Sequence, residues 1–267
     1  SCGVQVFPRL NTLPFDQLEP SREIAGRRSA VLHRLAKSSR TLLVSTAEAV
    51  MERLPPPASW SRLSMSLKAG AAFGERELRT QLEGLGYEED DEPDYPGGVL
   101  FHGQTFEIFP AGALGPFRIE HSGRAIRRIA AFDPVKQDVL FETRELVIDP
   151  MSERFAFASK RGKRATIFDY CGQAKWIADA GVPVHAGSWL STIEEAAGAR
   201  ERERDYLARR EWKQATRRMS LLPQKAAFRP TPDFSQAMSP RKVLRAFVDD
   251  VKKAGLRLAF VAAVEDD

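Results

Sequence analysis

Residues 87–134 read YEEDDEPDYPGGVLFHGQTFEIFPAGALGPFRIEHSGRAIRRIAAFDP. An acidic, proline-containing turn opens the stretch, and three or four short strands follow. Phe106 and Ile108 alternate with Thr105 and Glu107, and Phe117 and Ile119 alternate with Arg118 and Glu120. A period of two marks strands with one buried and one wet face. Gly112, Gly115 and Pro116 mark a first reversal and Ser122-Gly123 a second, at hairpin spacing. The wet face is expected to carry Arg118, Glu120, Ser122 and Arg124, with His102 at the preceding Gly103 turn. Nothing in this pattern has the makings of an active site. It predicts a small antiparallel sheet that shows a polar, mostly basic surface to something else.

Working outward, Glu75 to Leu85 reads as a helix with Leu78, Leu82 and Leu85 on one face, ended by Gly84 and Gly86. On the far side, Val139 to Ile148 closes the sheet as one more strand or strand pair. Together these make an α+β unit over residues 67–150. Before it, Val4–Phe7 reads as a strand, Asn11–Pro20 as a loop, and Ser21–Lys37 as a helix carrying Ile24, Val31, Leu32 and Leu35. The run Thr41–Ser45 suits a buried parallel strand, and Ala47–Leu54 a helix stopped by the three prolines at 55–57. Strand, helix, strand, helix argues for an α/β layer.

After the α+β unit, Thr166–Tyr170 reads as a helix or turn and Lys175–Ala180 as a strand. Ser191 and Glu194 match a capping box, which starts a charge-crowded, largely exposed helix to about Ser220. Ser239-Pro240 caps an amphipathic helix with Leu244, Phe247, Val248 and Val251 on one face, ended by Gly255. A strand follows from Leu256 to Val264. Such a fresh helix–strand unit reads as the opening of a further domain, and the chain reads as part of a longer protein.

At 267 residues, 43% hydrophobic and 28% charged, the chain is globular and large enough for two domains. No apolar run reaches the 18 or so residues needed to span a bilayer, so no membrane role is expected. Cys2 and Cys171 are the only cysteines, which fits a reducing compartment and excludes a zinc cluster built from cysteines. A net charge of +4 allows nucleic-acid contact without requiring it, because 36 acidic residues are interspersed.

No phosphate-cradling G-x-x-x-x-G-K-[ST] loop occurs; Arg161-Gly162-Lys163-Arg164 lacks its first glycine and its hydroxyl residue, and a solvated turn is the plainer reading. His33, His102, His121 and His185 have no ligand spacing, and Asp90-Asp91-Glu92 with Asp94 reads as an exposed acidic turn. No catalytic residue, cofactor site or metal site is therefore expected in this chain.

The pieces His102-Gly103, Glu107-Ile108-Phe109-Pro110, Pro116 with Arg118-Ile119-Glu120, Ile126 and Phe132-Asp133-Pro134 carry a resemblance. They resemble, in register over 33 residues, the second domain of the bacterial nucleotide-excision-repair family that comprises UvrB and the transcription-repair coupling factor Mfd. Phe7-Pro8, Leu13-Pro14-Phe15-Asp16, Pro20 and Arg28 are similar to a pattern in that family's first domain. The resemblance implies an α/β fold, a degenerate RecA-like domain with an inserted α+β domain. Its halves would be residues 1–66 and 151–238, the insert 67–150, and the start of a further domain 239–267.

The resemblance also implies a partner. The inserted domain would bind UvrA, through an arginine at the turn, an arginine in the P-x-R strand and an aromatic four residues further on. Arg118 matches the strand arginine, whereas His102 stands for the turn arginine and Ser122 for the aromatic; Glu120 and Arg124 flank them. RNA polymerase, DNA, ATP and magnesium would be matters for motor domains beyond Asp267, and the setting would be the bacterial cytoplasm near the nucleoid. A second reading from the same residues is a nucleic-acid-binding accessory module of a superfamily 2 helicase without UvrA binding.

Overall fold

The computed structural model describes residues 3–16, 18–37, 41–157, 164–172, 174–196, 205–217 and 219–221. The chain divides into two compact units, Ser1–Ser220 and Leu221–Asp267. The helix expected from Ser239 and the strand from Leu256 lie outside the described residues, as does most of the basic turn before Ala165.

In the first unit, β1 (Gly3–Phe7) pairs in parallel with β2 (Thr41–Ser45) through α1 (Arg22–Lys37), the helical crossover that a parallel pair needs. Helix α1 buries Ala25, Val31, Leu32 and Leu35, with Ile24 only partly covered. Helix α2 spans Ala47–Met51, capped by Thr46, and is shorter than the expected Ala47–Leu54. The chain turns extended at Glu52, which bridges Tyr206, and Leu54 exchanges backbone hydrogen bonds with Ala165. These pairings outweigh the helical preference of the segment. A short α3 (Trp60–Leu63) follows the prolines. Trp60 is buried and its indole N–H donates to Tyr170 Oη at 2.6 Å, which in turn donates to Pro55 O at 2.7 Å.

The chain enters and leaves its central portion along one ribbon. Strand β3 (Met65–Lys68) pairs antiparallel with β10 (Glu145–Ile148). Between them lie α4 (Glu75–Gly84), β4 (Glu88–Glu89), β5 (Gly98–His102), β6 (Thr105–Ile108), β7 (Phe117–His121), β8 (Ile126–Phe132) and β9 (Val139–Thr143). The last six form one sheet in sequential order, antiparallel except for the short parallel β4–β5 pair. The alternation predicts three or four strands. The unexpected strand is the two-residue edge β4; the opposite edge is β9, the expected closing strand, whose Val139, Leu140 and Phe141 are exposed although apolar. The Val139–Ile148 run becomes two strands in two different sheets because the chain turns at Arg144, whose carbonyl accepts from Ala69 N–H at 3.0 Å.

Two cores follow from this path. One joins Phe7, Leu32, Met51, Leu54 and Trp60 to Ile167, Ala186, Leu190 and Trp212 from the far end of the unit. The other joins Leu78, Leu82 and Leu85 of the α4 region to Phe106, Ile108, Ile119 and Ile129 of the sheet. The first core is thus built from residues on both sides of the second, which is the signature of an insertion.

After the insertion come α5 (Ile167–Cys171), β11 (Ile177–Ala178), α6 (Val182–Ala196) and α7 (Arg209–Ala215). Two expectations are corrected here. The strand expected over Lys175–Ala180 is only two residues long. Ser191 does not start a helix: it sits inside α6, where its hydroxyl donates to Gly187 O one turn earlier at 3.2 Å. The charged stretch after it is not one helix to Ser220 but restarts at α7, where the Glu211 carboxylate accepts from Ala208 N–H at 2.8 Å. Mid-helix serine and a true cap share one sequence pattern, and the pattern alone does not separate them.

The insertion is fastened to α1. Gly112, at φ +69°, would bring an added Cβ to 2.6 Å from the Ala30 Cβ, so only glycine fits there. Arg22 pairs with Glu88, and His33 Nδ1 lies 2.5 Å from Asp149 Oδ1, which also accepts from Ser64 Oγ at 2.6 Å. Deeper still, Arg28 is fully buried. Its Nε and Nη2 donate to Glu153 at 3.0 and 2.8 Å, Nη2 also to Glu52 at 2.6 Å, and Nη1 to Pro8 O at 2.8 Å. Burial would strip the Arg28 proton, but Glu153 and Glu52 outweigh it and hold the pKa above its ordinary value. Burial pushes the Glu52 carboxyl up to about 7, because one guanidinium cannot fully compensate two buried carboxylates.

Candidate functional site

Strand register assigns the two faces of the six-stranded sheet. Val99, Phe106, Ile108, Ile119 and Ile129 face the α4 core. The opposite face carries Leu100, Thr105, Glu107, Arg118, Glu120, Arg128 and Glu142, in cross-strand pairs Glu107↔Arg118, Glu120↔Arg128 and Ala130↔Glu142. Directly opposed residues of opposite charge stabilise such a face.

Arg118 is the anchor of this face. Its Nε donates to Glu107 Oε1 at 2.7 Å, its Nη2 to Gln137 Oε1 at 2.5 Å, and its guanidinium lies 4.5 Å from the centre of the Phe132 ring. A guanidinium held by two acceptors and stacked on an aromatic ring is restrained, and among the described residues no hydrogen bond reaches its Nη1. Its side chain is 30% exposed, enough to be touched and too little to wander. Arg128 repeats the device, bridging Glu120 at 3.0 Å and Glu142 at 2.9 and 2.6 Å. The Glu142 and Glu120 carboxylates raise the Arg128 pKa above its ordinary value.

His102 is exposed at the β5–β6 turn, with Gly103 at φ +60°. It lines one shallow depression with Leu100, Thr105, Glu107 and Arg118, of about 370 Å³. Thus His102 and Arg118 are brought together, and Glu120 lies on the same face one pair further along. Ser122 and Arg124 are not on this face. Both sit in the β7–β8 turn, where Ser122 Oγ accepts from Ala125 N–H at 3.3 Å and so belongs to the turn itself. Arg124 is exposed, with its carbonyl accepting from Phe73 N–H at 2.8 Å. Nor is the face mostly basic, as expected: its arginines are matched by Glu107, Glu120 and Glu142. The sequence reading missed Phe132, Gln137 and Glu142 as parts of the face, and the pairing of Glu107 with Arg118 and of Arg128 with Glu120 across it. Period-two alternation gives each strand's face, but only register tells which charges oppose which.

Among the described residues, no group of three or more His, Cys, Asp or Glu side chains is arranged to hold a metal ion. No described helix is long and apolar enough to cross a membrane. Cys171 is half-buried, and burial pushes its thiol up to about 11, far from a reactive thiolate.

Residues 65–153 match the family model of the UvrB interaction domain, so the match begins with the β3–β10 ribbon, ends just past it and takes in the whole sheet. The chain is similar to named proteins over a longer span. It is 29% identical over 153 residues to the transcription-repair-coupling factor of Haemophilus influenzae, covering 57% of this chain and 13% of that protein. It is 28% identical over 142 residues to that of Escherichia coli, covering 53% and 12%. It is 30% identical over 125 residues to the UvrABC system protein B of Methanococcoides burtonii, covering 47% and 19%. The chain therefore spans between 12% and 19% of the length of these relatives. The resemblance to the UvrB and coupling-factor family holds, and it centres on the insertion.

Proposed function

We propose that the insertion docks UvrA, and that this chain is the UvrB-like region of a transcription-repair-coupling-factor-like protein that links stalled transcription to excision repair. The observation that carries the reading is the fixed Arg118, held by Glu107 and Gln137 over Phe132 in the middle of the matched domain's polar face. A preorganised arginine beside an open depression supplies directed donors at little cost in side-chain entropy, which is how interface hot spots are built. His102 extends the same contact with a smaller donor, and Ser122 supplies no aromatic anchor, so docking rests on Arg118 and Glu120 more than on the turn. The parallel β1–β2 pair and the split first core support a degenerate RecA-type domain around the insertion. In this reading the region is an adaptor with no catalyst or cofactor of its own. ATP-driven work and contact with RNA polymerase belong to other domains of a longer cytoplasmic protein.

Calorimetric titration of the chain with UvrA tests the proposal, beside Arg118→Ala. Micromolar or tighter binding that the substitution weakens by at least tenfold is expected, since a central interface arginine is worth about 2 kcal/mol or more. Absence of heat at high concentration, or equal affinity of the variant, would refute it.

A further inference from the structure

Arginines in and beside the insertion fall into two groups. Arg22, Arg79, Arg118 and Arg128 are each bound to a carboxylate. Arg124, Arg127 and Arg144 are exposed, and among the described residues no ion pair or hydrogen bond reaches their side chains. Arg76 of α4 is likewise exposed and without such a partner among the described residues, but the other three are neighbours. Ala69 N–H donates to Arg144 O at 3.0 Å, Gly70 N–H to Ile126 O at 2.8 Å, and Phe73 N–H to Arg124 O at 2.8 Å. A strip of five consecutive residues thus touches the backbone beside all three, and the four steps from residue 69 to 73 span at most about 14 Å. Arg127 is the extra residue of a β-bulge, since Glu120 pairs with Arg128 but His121 with Ile126.

Lys68 continues the patch. Lys68 pairs with Glu145 on the exposed side of the β3–β10 ribbon at 3.4 Å. The Glu145 carboxyl is held below its ordinary value by the Ser66 hydroxyl first and then by Lys68. Of the other nearby carboxylates, Glu142 is committed to Arg128 and Glu75 to Arg79, while Glu77 reaches back over Gly74 beside the strip. Four cations therefore face solvent against Glu145 and Glu77.

We propose that this edge, formed by Lys68, Arg124, Arg127 and Arg144, is a contact surface for the phosphate backbone of duplex nucleic acid. Its cations are spread along an open edge rather than converging on a pocket, which suits a polyanion and not a small anion. The strip between them is Ala69, Gly70, Ala71 and Ala72, all exposed, and nothing lies within 4 Å of the point where a Gly70 side chain would begin. A phosphate chain can approach closely, and no exposed aromatic anchor stands there for a protein partner to bury. Phosphate contacts of this kind bind without reading sequence. The surface is separate from the Arg118 face and does not depend on what docks there.

The test is fluorescence anisotropy of a labelled duplex DNA against the whole chain, across a salt series. The association constant should fall linearly with salt on a log–log plot. Replacing Arg124, Arg127 and Arg144 together by glutamine should reduce the slope by about 2.7, at about 0.9 per lost phosphate contact. Replacing the same three by lysine should keep the slope, and Arg118→Ala should leave it unchanged. Three results would overturn the proposal: no salt-dependent binding by the wild-type chain, an unaltered slope in a glutamine variant that keeps the wild-type melting curve, or polyglutamate displacing the duplex at equal charge, which would assign the edge to an acidic protein.

Discussion

Replacing Arg28 by methionine should be among the most damaging single changes in the first unit. The guanidinium makes four hydrogen bonds, to Glu153 twice, to Glu52 and to Pro8 O, and stacks 4.2 Å from the Phe7 ring centre. Methionine fills much of the volume but leaves two carboxylates buried without their cation. Removing one partner of a buried ion pair costs about 3–5 kcal/mol. The loss should depend on pH, because protonating Glu52, whose carboxyl burial pushes up to about 7, relieves it: largest near about pH 8, smaller near about pH 5. Changing all three residues, Arg28→Met with Glu52→Gln and Glu153→Gln, should recover most of the stability, since no charge is then stranded. Urea denaturation followed by circular dichroism at the two pH values reads all of this directly. A loss under about 1 kcal/mol at high pH, or a triple variant no better than the single one, would refute the reasoning.

Glu52→Gln tests the same cluster from the other side. A folded Glu52 that keeps its proton to about pH 7, against 4.5 when unfolded, contributes stability that is full below pH 4.5 and lost as pH rises through 7. The loss is about 3 kcal/mol at about 1.4 per pKa unit, and the glutamine variant should flatten it in denaturation midpoints measured across that window. Gly112→Ala should cost about 1–3 kcal/mol in thermal denaturation, from the positive φ and the clash with Ala30. Tyr170→Phe strips Pro55 O of its donor and the buried Trp60 indole of its acceptor, for an expected loss of about 1–3 kcal/mol by the same method.

Local pattern made the sheet legible. The alternation at Thr105–Ile108 and Phe117–Glu120 gave strands, faces and turns, and the Leu78/Leu82/Leu85 stripe gave α4, because each is written within a short run of chain. What stayed hidden depends on distant partners. Glu52 leaves its helix to meet Tyr206, and β3 forms only because β10 returns beside it. The Val139-Leu140-Phe141 run reads in sequence as a strand closing the sheet, but its exposure at the edge follows only from the strand order. For the site, Arg118 was legible and its clamp was not: Glu107 lies 11 positions from it and Gln137 lies 19. Ser122 and Arg124 follow the strand in sequence but belong to the turn, so continuing the alternation past His121 put them on the wrong surface.

The central claim is that the Arg118 face docks UvrA, and a charge swap tests it most directly. Exchanging the pair, Glu107→Arg with Arg118→Glu, keeps opposite charges face to face across β6 and β7, so the melting temperature should stay close to wild type. The donors a partner would meet are then moved one strand over, and calorimetric titration with UvrA should show binding lost or weakened by at least tenfold. A folded swap variant that binds UvrA with wild-type affinity would contradict the account.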